Sequence, residues 1–388
     1  MPKTVYSLAI PHHIIPMLDI VVMAIVSPNS WRGVIDSFSI CQSLAIGYRK
    51  SPINKDFYIM TVPPPSSTAS PHYDLLIIGA GIAGLAAGRM AQQAGLKVML
   101  IDKGRRVGGR VSTRRIDGFV FNHGAQFATS KSSDFGDILR AASTAGTATN
   151  WQIEDKKTVV IGTPMMRAIP MFLADNLPIQ QNRRIARIIR KTDHIQCVDT
   201  DDVPVTAKKV ICTAPAPQTA ALLTDDFPDL AATASHAAYA PCLTVMLGLA
   251  DDELLPKMPI KSPQHDIGWA MCETARPDAA QHRPALTIQA DAAWSAAHKD
   301  DRAESIIKQL IEKYQLATEC QIGEVLHAHA HRWLYAKVTT PSPADAIICQ
   351  KNLAMAGDWL GGARIEHAFI SGQRAFMALH PTHARPSI

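Results

Sequence analysis

Residues 74–103, DLLIIGAGIAGLAAGRMAQQAGLKVMLIDK, restrict the possible folds more than any other stretch of the chain. The apolar run at 75–78 suits a strand buried on both faces. Residues 82–94 have the small and apolar side chains of a helix packed on a sheet, and LKVMLI at 96–101 suits a second buried strand. Gly79, Gly81 and Gly84 then fall on the turn between strand and helix. The first allows the tight turn, the second lets backbone approach a pyrophosphate, and the third lets helix and strand pack closely. Asp102 ends the second strand 23 residues after Gly79, placed to accept hydrogen bonds from a ribose. A lone GxGxxG is weak evidence, but strand, glycine turn, helix, strand and terminal acid in this order specify a dinucleotide site. Ile82 and Ala83 at the helix start and Lys103 beside the acid complete its expected wall.

The rest of the chain is compatible with an enzyme built around that unit. At 388 residues there is room for about two domains. A hydrophobic content of 47% with 19% charged residues describes a folded chain rather than a charge-expanded one. The formal charge of +5 is too small and too scattered for a nucleic-acid face. The seven cysteines show no CxxC or other short metal spacing, so they read as reduced thiols of a cytoplasmic protein, with no metal and no disulfide-reductase chemistry. The apolar run at 14–26 carries Pro16 and Asp19, is too short to span a bilayer, and makes a poor secretory signal. Residues 1–71 read as a disordered extension and linker ending in TVPPPSSTAS, with a second start available at Met60.

The second informative stretch is DKGRRVGGRVSTRR at 102–115. A solvated basic loop would account for Arg105, Arg106, Arg114 and Arg115. It would not account for Gly108 and Gly109 followed by Arg110, where two glycines permit close backbone approach and a guanidinium offers a planar fork to phosphate oxygens. GGR directly after an acid-ended second strand resembles the second fingerprint of flavoproteins in the glutathione-reductase-like and amine-oxidase-like superfamily. GGRVSTRR followed by FVFNHGAQF at 119–127 resembles, more narrowly, the renalase-like family.

That resemblance covers about residues 72–380, and its GGR, GAQ, HRW and GDW elements occur in the family's order. It implies a Rossmann-like FAD/NAD(P)-binding domain of α/β class, interrupted by an α+β substrate domain with an antiparallel sheet. The expected boundaries are 72–115, 182–224 and 346–382 for the cofactor domain, and 116–181 and 225–345 for the substrate domain. It implies FAD contacts from Gly124, Ala125 and Gln126, the last through its amide, from the backbone at Ile185, and from Thr213 and Ala214. Gly357 and Asp358, with Arg364 and Ile365 at the following helix start, are implied to hold the ribityl chain and the flavin's pyrimidine edge. Asn122 departs from the family, where an acid is frequent. With no cysteine after Cys349, the FAD is expected to be noncovalent.

The segments 242–250, 285–294 and 324–338 alternate or run apolar and suit antiparallel strands, while 304–314 suits a helix. On a strand, His327, His329 and His331 share a face, but neighbours on one strand make a poor tetrahedral cage. HRW within 331–335 resembles the family's segment and nominates His331, Trp333 and Tyr335 for the substrate cavity, with core packing of Trp333 as the alternative.

By resemblance, the activity is oxidation of dihydronicotinamide isomers of NAD(P)H by hydride transfer to flavin N5, with O2 reoxidation to H2O2, and no acid or base catalyst is nominated. Two alternatives stay open: a flavin amine oxidase or desaturase-like oxidoreductase, and a flavin-binding redox sensor with little catalysis. The partners expected are a small-molecule substrate and O2, with no nucleic acid and no membrane.

Overall fold

In the computed structural model the strand, turn and helix of the first fingerprint form as their pattern requires: strand β1 (His72–Ile78), helix α1 (Ile82–Gln93) and strand β2 (Val98–Ile101). The structure describes residues 47–50, 58–61, 72–154, 157–277, 279 and 282–383. The chain divides into Met1–Ser70 and Pro71–Ile388. In the first unit Gly47–Lys50 pairs antiparallel with Tyr58–Thr61, and Met60 lies in the second of these strands. The remainder of the expected extension lies outside the described residues.

After β2 the chain makes two small hairpins, Arg114–Ile116 with Phe119–Phe121 and Ala148–Glu154 with Lys157–Gly162. It then returns to the first sheet through β3 (Ile179–Gln180), β4 (Ile185–Arg190), β5 (Ile195–Asp199) and β6 (Pro204–Cys212). A second sheet follows: β7 (Ala238–Leu249), β8 (Ile260–Ser262), β9 (Ile267–Cys272), β10 (Ala285–Ala290) and β11 (Val325–Thr340), with helix α2 (Ala303–Thr318) before its last strand. The chain ends on the first sheet with β12 (Cys349–Gln350), β13 (Leu353–Met355) and helix α3 (Ile365–Leu379).

The first sheet runs β4-β5-β6-β1-β2-β3, and β13 pairs with the far half of β6. Strands β13, β6, β1, β2 and β3 are parallel, and their registers align Met355 with Cys212, Cys212 with Ile78, and Ile78 with Ile101. Four segments distant in sequence therefore end at one edge, and the next residues are Ala356 and Gly357, Thr213, Gly79 and Asp102. Ligands of open α/β sheets bind outside such carboxyl ends. Burial follows the parallel pattern: Leu75, Leu76 and Ile77 are wholly buried, supplying cores on both faces. On the α1 face, Gly372 of α3 lies so close to α1 that a Cβ there would stand 2.1 Å from the Ala83 carbonyl oxygen.

The second sheet, ordered β8-β9-β10-β7-β11, is antiparallel throughout. Alternation divides its faces. Leu243, Val245, Leu247 and Ala330 pack with Ile306, Leu310 and Tyr314 of α2. Thr244, Met246 and Gly248, opposite His331, His329 and His327, look the other way. The expected strands and helix form, except that the segment 285–294 is strand only to Ala290 and turns into a helix, Ala292–His298. The first sheet and its core also take in Ile179–Gln180 and helix Pro228–Ser235, which belong to the ranges 116–181 and 225–345.

Candidate cofactor and substrate site

A cavity of about 1690 Å³ opens at the carboxyl edge of the first sheet and runs to β11 of the second. At its inner end, the fingerprint glycines divide their work. A Cβ on Gly84 would lie 1.9 Å from the Gly79 carbonyl oxygen, so only glycine lets α1 start this close to β1. A Cβ on Gly81 would meet nothing within 4 Å, which leaves the first turn of α1 open to a bulky ligand. The Gly108–Gly109 loop docks onto this turn: Gly108 N–H donates to Ala80 O at 2.9 Å, and Gly109, at φ +54°, lies 3.4 Å from the Gly81 Cα by its would-be Cβ.

Asp102 first serves the backbone. Its Oδ2 accepts from Ala80 N–H and its Oδ1 from Gly104 N–H, both at 2.6 Å, which fixes the end of β2 against the glycine turn. Each oxygen keeps a further lone pair towards the cavity it lines. Lys103 donates to Gln218 Oε1 at 2.9 Å. Partial burial, then Arg184, lowers its pKa, and Asp102 opposes them. Ile185 lines the cavity from the first residue of β4. The Thr213 hydroxyl is turned into the sheet, donating to Ile78 O at 2.8 Å, while Ala214 O accepts from Thr219 Oγ1 and Trp359 Nε1.

Arg110 and Asp358 meet each other. Arg110 Nη2 lies 2.5 Å from Asp358 Oδ1 and Nη1 2.9 Å from Oδ2, and Nη1 also reaches the carbonyls of Tyr335 and Ala336 at 3.3 Å. Arg110, expected at phosphate oxygens, and Asp358, expected at the ribityl chain, form one bidentate pair across the cavity wall. Tyr239 packs its ring on the same guanidinium, and burial pushes its hydroxyl up to about 12.

At the start of α3, Gly357 N–H donates to Ser371 Oγ at 2.9 Å, Ile365 borders the cavity, and Arg364 donates to Thr129 Oγ1 and Glu366 Oε2, each at 3.0 Å. Glu366, which sequence reasoning missed, is 2% exposed. Its Oε1 accepts from the backbone N–H of Lys131 (2.7 Å) and Ser132 (2.6 Å) and from Ser132 Oγ (2.9 Å). Burial alone would raise this carboxyl, but these donors hold it at about 2.

The 122–126 loop spends much of its hydrogen bonding internally. Ala125 borders the cavity and donates to Arg110 O at 2.9 Å, but Gly124 and Gln126 do not line it. Gly124 packs on the Arg110 carbonyl, and the Gln126 amide is spent internally: Nε2 donates to Asn122 O and Gly124 O, while Oε1 accepts from Arg276. The acid absent at Asn122 is supplied from 151 residues away. Glu273 Oε1 accepts from Asn122 N–H at 2.9 Å, and Oε2 accepts from Asn122 Nδ2 at 2.8 Å and pairs with Arg276 Nε at 2.8 Å. Both charged side chains are almost wholly buried, at 1% and 3% exposure.

His331 and Trp333 line the cavity, joined by His123, which was not nominated. Trp333 Nε1 donates to His123 O at 2.8 Å, and its ring stacks on His123 at 5.3 Å between centroids. His331 meets both edge-on, at 5.1 and 4.4 Å. The alternative of a core tryptophan is therefore set aside. Tyr335 contributes its backbone to the lining pair and its ring to Tyr239 at 5.6 Å. Burial lowers His123 to about 3 and His331 to about 4, so both rings are neutral at pH 7. His327 packs over Phe119 and Phe121 instead. Among the described residues no group of His, Cys, Asp and Glu is placed to hold a metal ion, and no helix is long and apolar enough to cross a membrane.

The sequence matches the NAD(P)-binding Rossmann-like domain over residues 77–142 and the flavin containing amine oxidoreductase family over 127–378, which is well over half of the chain. A Drosophila melanogaster protein described as a lysine-specific histone demethylase 1 is 42% identical over 55 residues, 14% of this chain and 6% of that protein's length. Among solved structures, a protoporphyrinogen oxidase from Exiguobacterium sp. 255-15 superposes with a TM-score of 0.63 at 13% identity, covering 81% of this chain and 99% of the other. A redesigned putrescine oxidase gives 0.61 at 14% identity, covering 80% and 99%. At such identities the structures show a shared fold. The cavity fits the cofactor this family carries: an open first turn at Gly81 and the Gly109 backbone suit a pyrophosphate, and the start of α3 suits a flavin ring edge. None of the described lining residues is a cysteine that a flavin could be attached to. The chain belongs to the flavin containing amine oxidoreductase family and is an FAD-dependent oxidoreductase of Rossmann-like fold.

Proposed function

We propose that the protein oxidises dihydronicotinamide isomers of NAD(P)H to the ordinary oxidised dinucleotide. The observation that carries this reading is the wall formed by His123, His331 and Trp333 beside Ala125: aromatic and uncharged at pH 7, with Trp333 and His123 stacked and His331 edge-on to both. When bound, FAD supplies a two-electron acceptor that takes a hydride at N5 and returns the electrons to O2 as H2O2.

The chain's own task is then orientation and exclusion of water. A donor whose product is a stable pyridinium cation gives up a hydride without losing a proton, so no base is required. Trp333 is anchored by its bond to the His123 carbonyl, and the 122–126 loop is anchored in turn by Glu273 and Gln289, which fixes the wall relative to Ala125. The start of α3 provides a positive helix end for negative charge developing on a bound ring. Oxidation of an amine is the reading that the family's description favours. Against it stands the lining, whose two carboxylates, Asp102 and Asp358, are both engaged and whose other charges are cationic. A protonated amine would meet only Asp358, which is paired with Arg110, and Asp102, whose oxygens already accept from the Ala80 and Gly104 N–H groups.

The test is anaerobic mixing of the FAD-loaded protein with dihydronicotinamide isomers of NADH and NADPH, ordinary NADH and a panel of amines, followed by flavin absorbance. Rapid bleaching by the isomers alone is the expected result. Bleaching by amines would replace this reading with the amine oxidase one, and bleaching by none would point to a redox sensor with little catalysis.

A further inference from the structure

The cavity is strongly asymmetric in charge. Of its basic lining residues, Arg110, Arg183 and Arg364 are paired with carboxylates, and Arg332 is held by the carbonyls of Lys299 and Asp301. Arg106, Arg114, Arg115 and Arg167 also line it, and among the described residues none of these four has a carboxylate partner within salt-bridge distance.

Arg167 is the unusual member. It is 5% exposed, and its Nη1 donates to the Thr113 carbonyl at 3.0 Å. A guanidinium carries five donors and a full charge, and among the described residues no carboxylate answers the charge of this one. Arg106 and Arg115 line the same cavity, and burial first, then their charges, lower the pKa of Arg167. Arg114, next to Arg115, faces the opposite way, near enough to His123, His331 and His329 to disfavour their protonation. The strand Arg114–Ile116 thus carries one arginine towards the aromatic wall and the next towards Arg167.

An anion fits this arrangement, and the cofactor's pyrophosphate is already provided for at Gly81 and Gly109. We infer that Arg115 and Arg167, with Arg106 beside them, form an anion site that receives phosphate groups of the substrate while its ring rests on the His123–His331–Trp333 wall. The identity of the phosphate's bearer rests on the dihydronicotinamide nucleotide reading; the site itself does not. Its consequence is selection by charge: phosphorylated donors are admitted and cationic amines repelled.

The test uses the FAD-loaded protein, so that the cofactor's own phosphate turn is filled, with inorganic pyrophosphate as the probe in low-salt calorimetry. Wild type binds pyrophosphate, Arg115→Gln and Arg167→Gln each weaken binding at least tenfold, and Arg187→Gln, on β4 outside the cavity, leaves it unchanged. Because Arg167 is buried and its variant can fail to fold, the exposed Arg115 carries the same test alone. In turnover, the KM for the dinucleotide isomers rises about tenfold in Arg115→Gln with kcat kept, while the KM for the phosphate-free dihydronicotinamide riboside does not move. Absence of pyrophosphate binding to wild type, or equal binding by both arginine variants, overturns the site. A riboside as good as the dinucleotide also overturns it, with the proposed reaction left standing. Pyrophosphate binding that Arg115→Gln abolishes, together with no bleaching by any dihydronicotinamide, supports the site and removes the proposed reaction.

Discussion

His123 makes the stability of the protein depend on pH in a way that can be worked out beforehand. The ring is 6% exposed, lies against Trp333 and His331, and has its pKa lowered by burial to about 3, against 6.5 in an unfolded chain. Between these two values the unfolded chain binds a proton that the native protein does not, so stability rises with pH throughout that window and falls as the solution is acidified. The cost is small at pH 7, about 1 kcal/mol at pH 6 and about 2 kcal/mol at pH 5, since each unit below 6.5 adds about 1.4 kcal/mol. His331, at about 4 but only half-buried, adds a smaller contribution of the same sign. The perturbation is His123→Asn, which leaves the backbone carbonyl that Trp333 uses. Urea unfolding of wild type and variant at pH 7, 6 and 5, with FAD in the same fixed excess, measures the difference. The variant loses less stability on going from pH 7 to pH 5, by about 2 kcal/mol. Parallel losses in the two proteins would show that His123 is not held neutral by its surroundings, and the reasoning would fail.

Two further outcomes follow from the site. Arg110→Ala strips a bidentate partner from Asp358, which is 7% exposed, costing about 3 kcal/mol in thermal or urea unfolding and markedly weakening FAD retention on gel filtration. Arg115→Gln leaves FAD retention unchanged, and equal loss in both would contradict this division of the loop. Glu366→Gln replaces a carboxylate that accepts from Lys131, Ser132 and Arg364, so stability at neutral pH drops by about 2 kcal/mol. Because the folded carboxyl is held down to about 2, the wild type's advantage persists above the usual carboxylate range and disappears as pH falls from about 4.5 towards 2.

The parts legible in the sequence were those fixed by local backbone geometry. Gly79, Gly108 and Gly109 sit at positive φ and a Cβ on Gly84 would strike the Gly79 carbonyl oxygen, so local geometry places these four, while Gly81 is marked by the open space in front of it. Alternation likewise put His327, His329 and His331 on one face. It could not tell that His327 would rest on Phe119 and Phe121 while His331 reached the cavity, because that depends on a hairpin two hundred residues earlier. Glu273 and Glu366 were invisible for the same reason. Their partners lie 151 and 234 to 235 residues away, and no periodicity links a carboxylate to a distant loop's N–H groups. For Gln126 the sequence suggested a ligand contact but not the bonds its amide makes to Asn122, Gly124 and Arg276. A polar side chain's target is set by whichever unsatisfied group is nearest in space.

The alignment of Ile78, Ile101, Cys212 and Met355 at one sheet edge has a consequence for synthesis. A nascent chain emerging from a ribosome can form the first glycine turn within its first hundred or so residues. The wall opposite arrives only with Leu353–Met355 and the helix that crosses at Gly372. Until these segments have been made, the cradle has one side. Capture of the flavin must therefore wait for them, and truncation before Leu353 should abolish the yellow colour even though every glycine of the fingerprint is present.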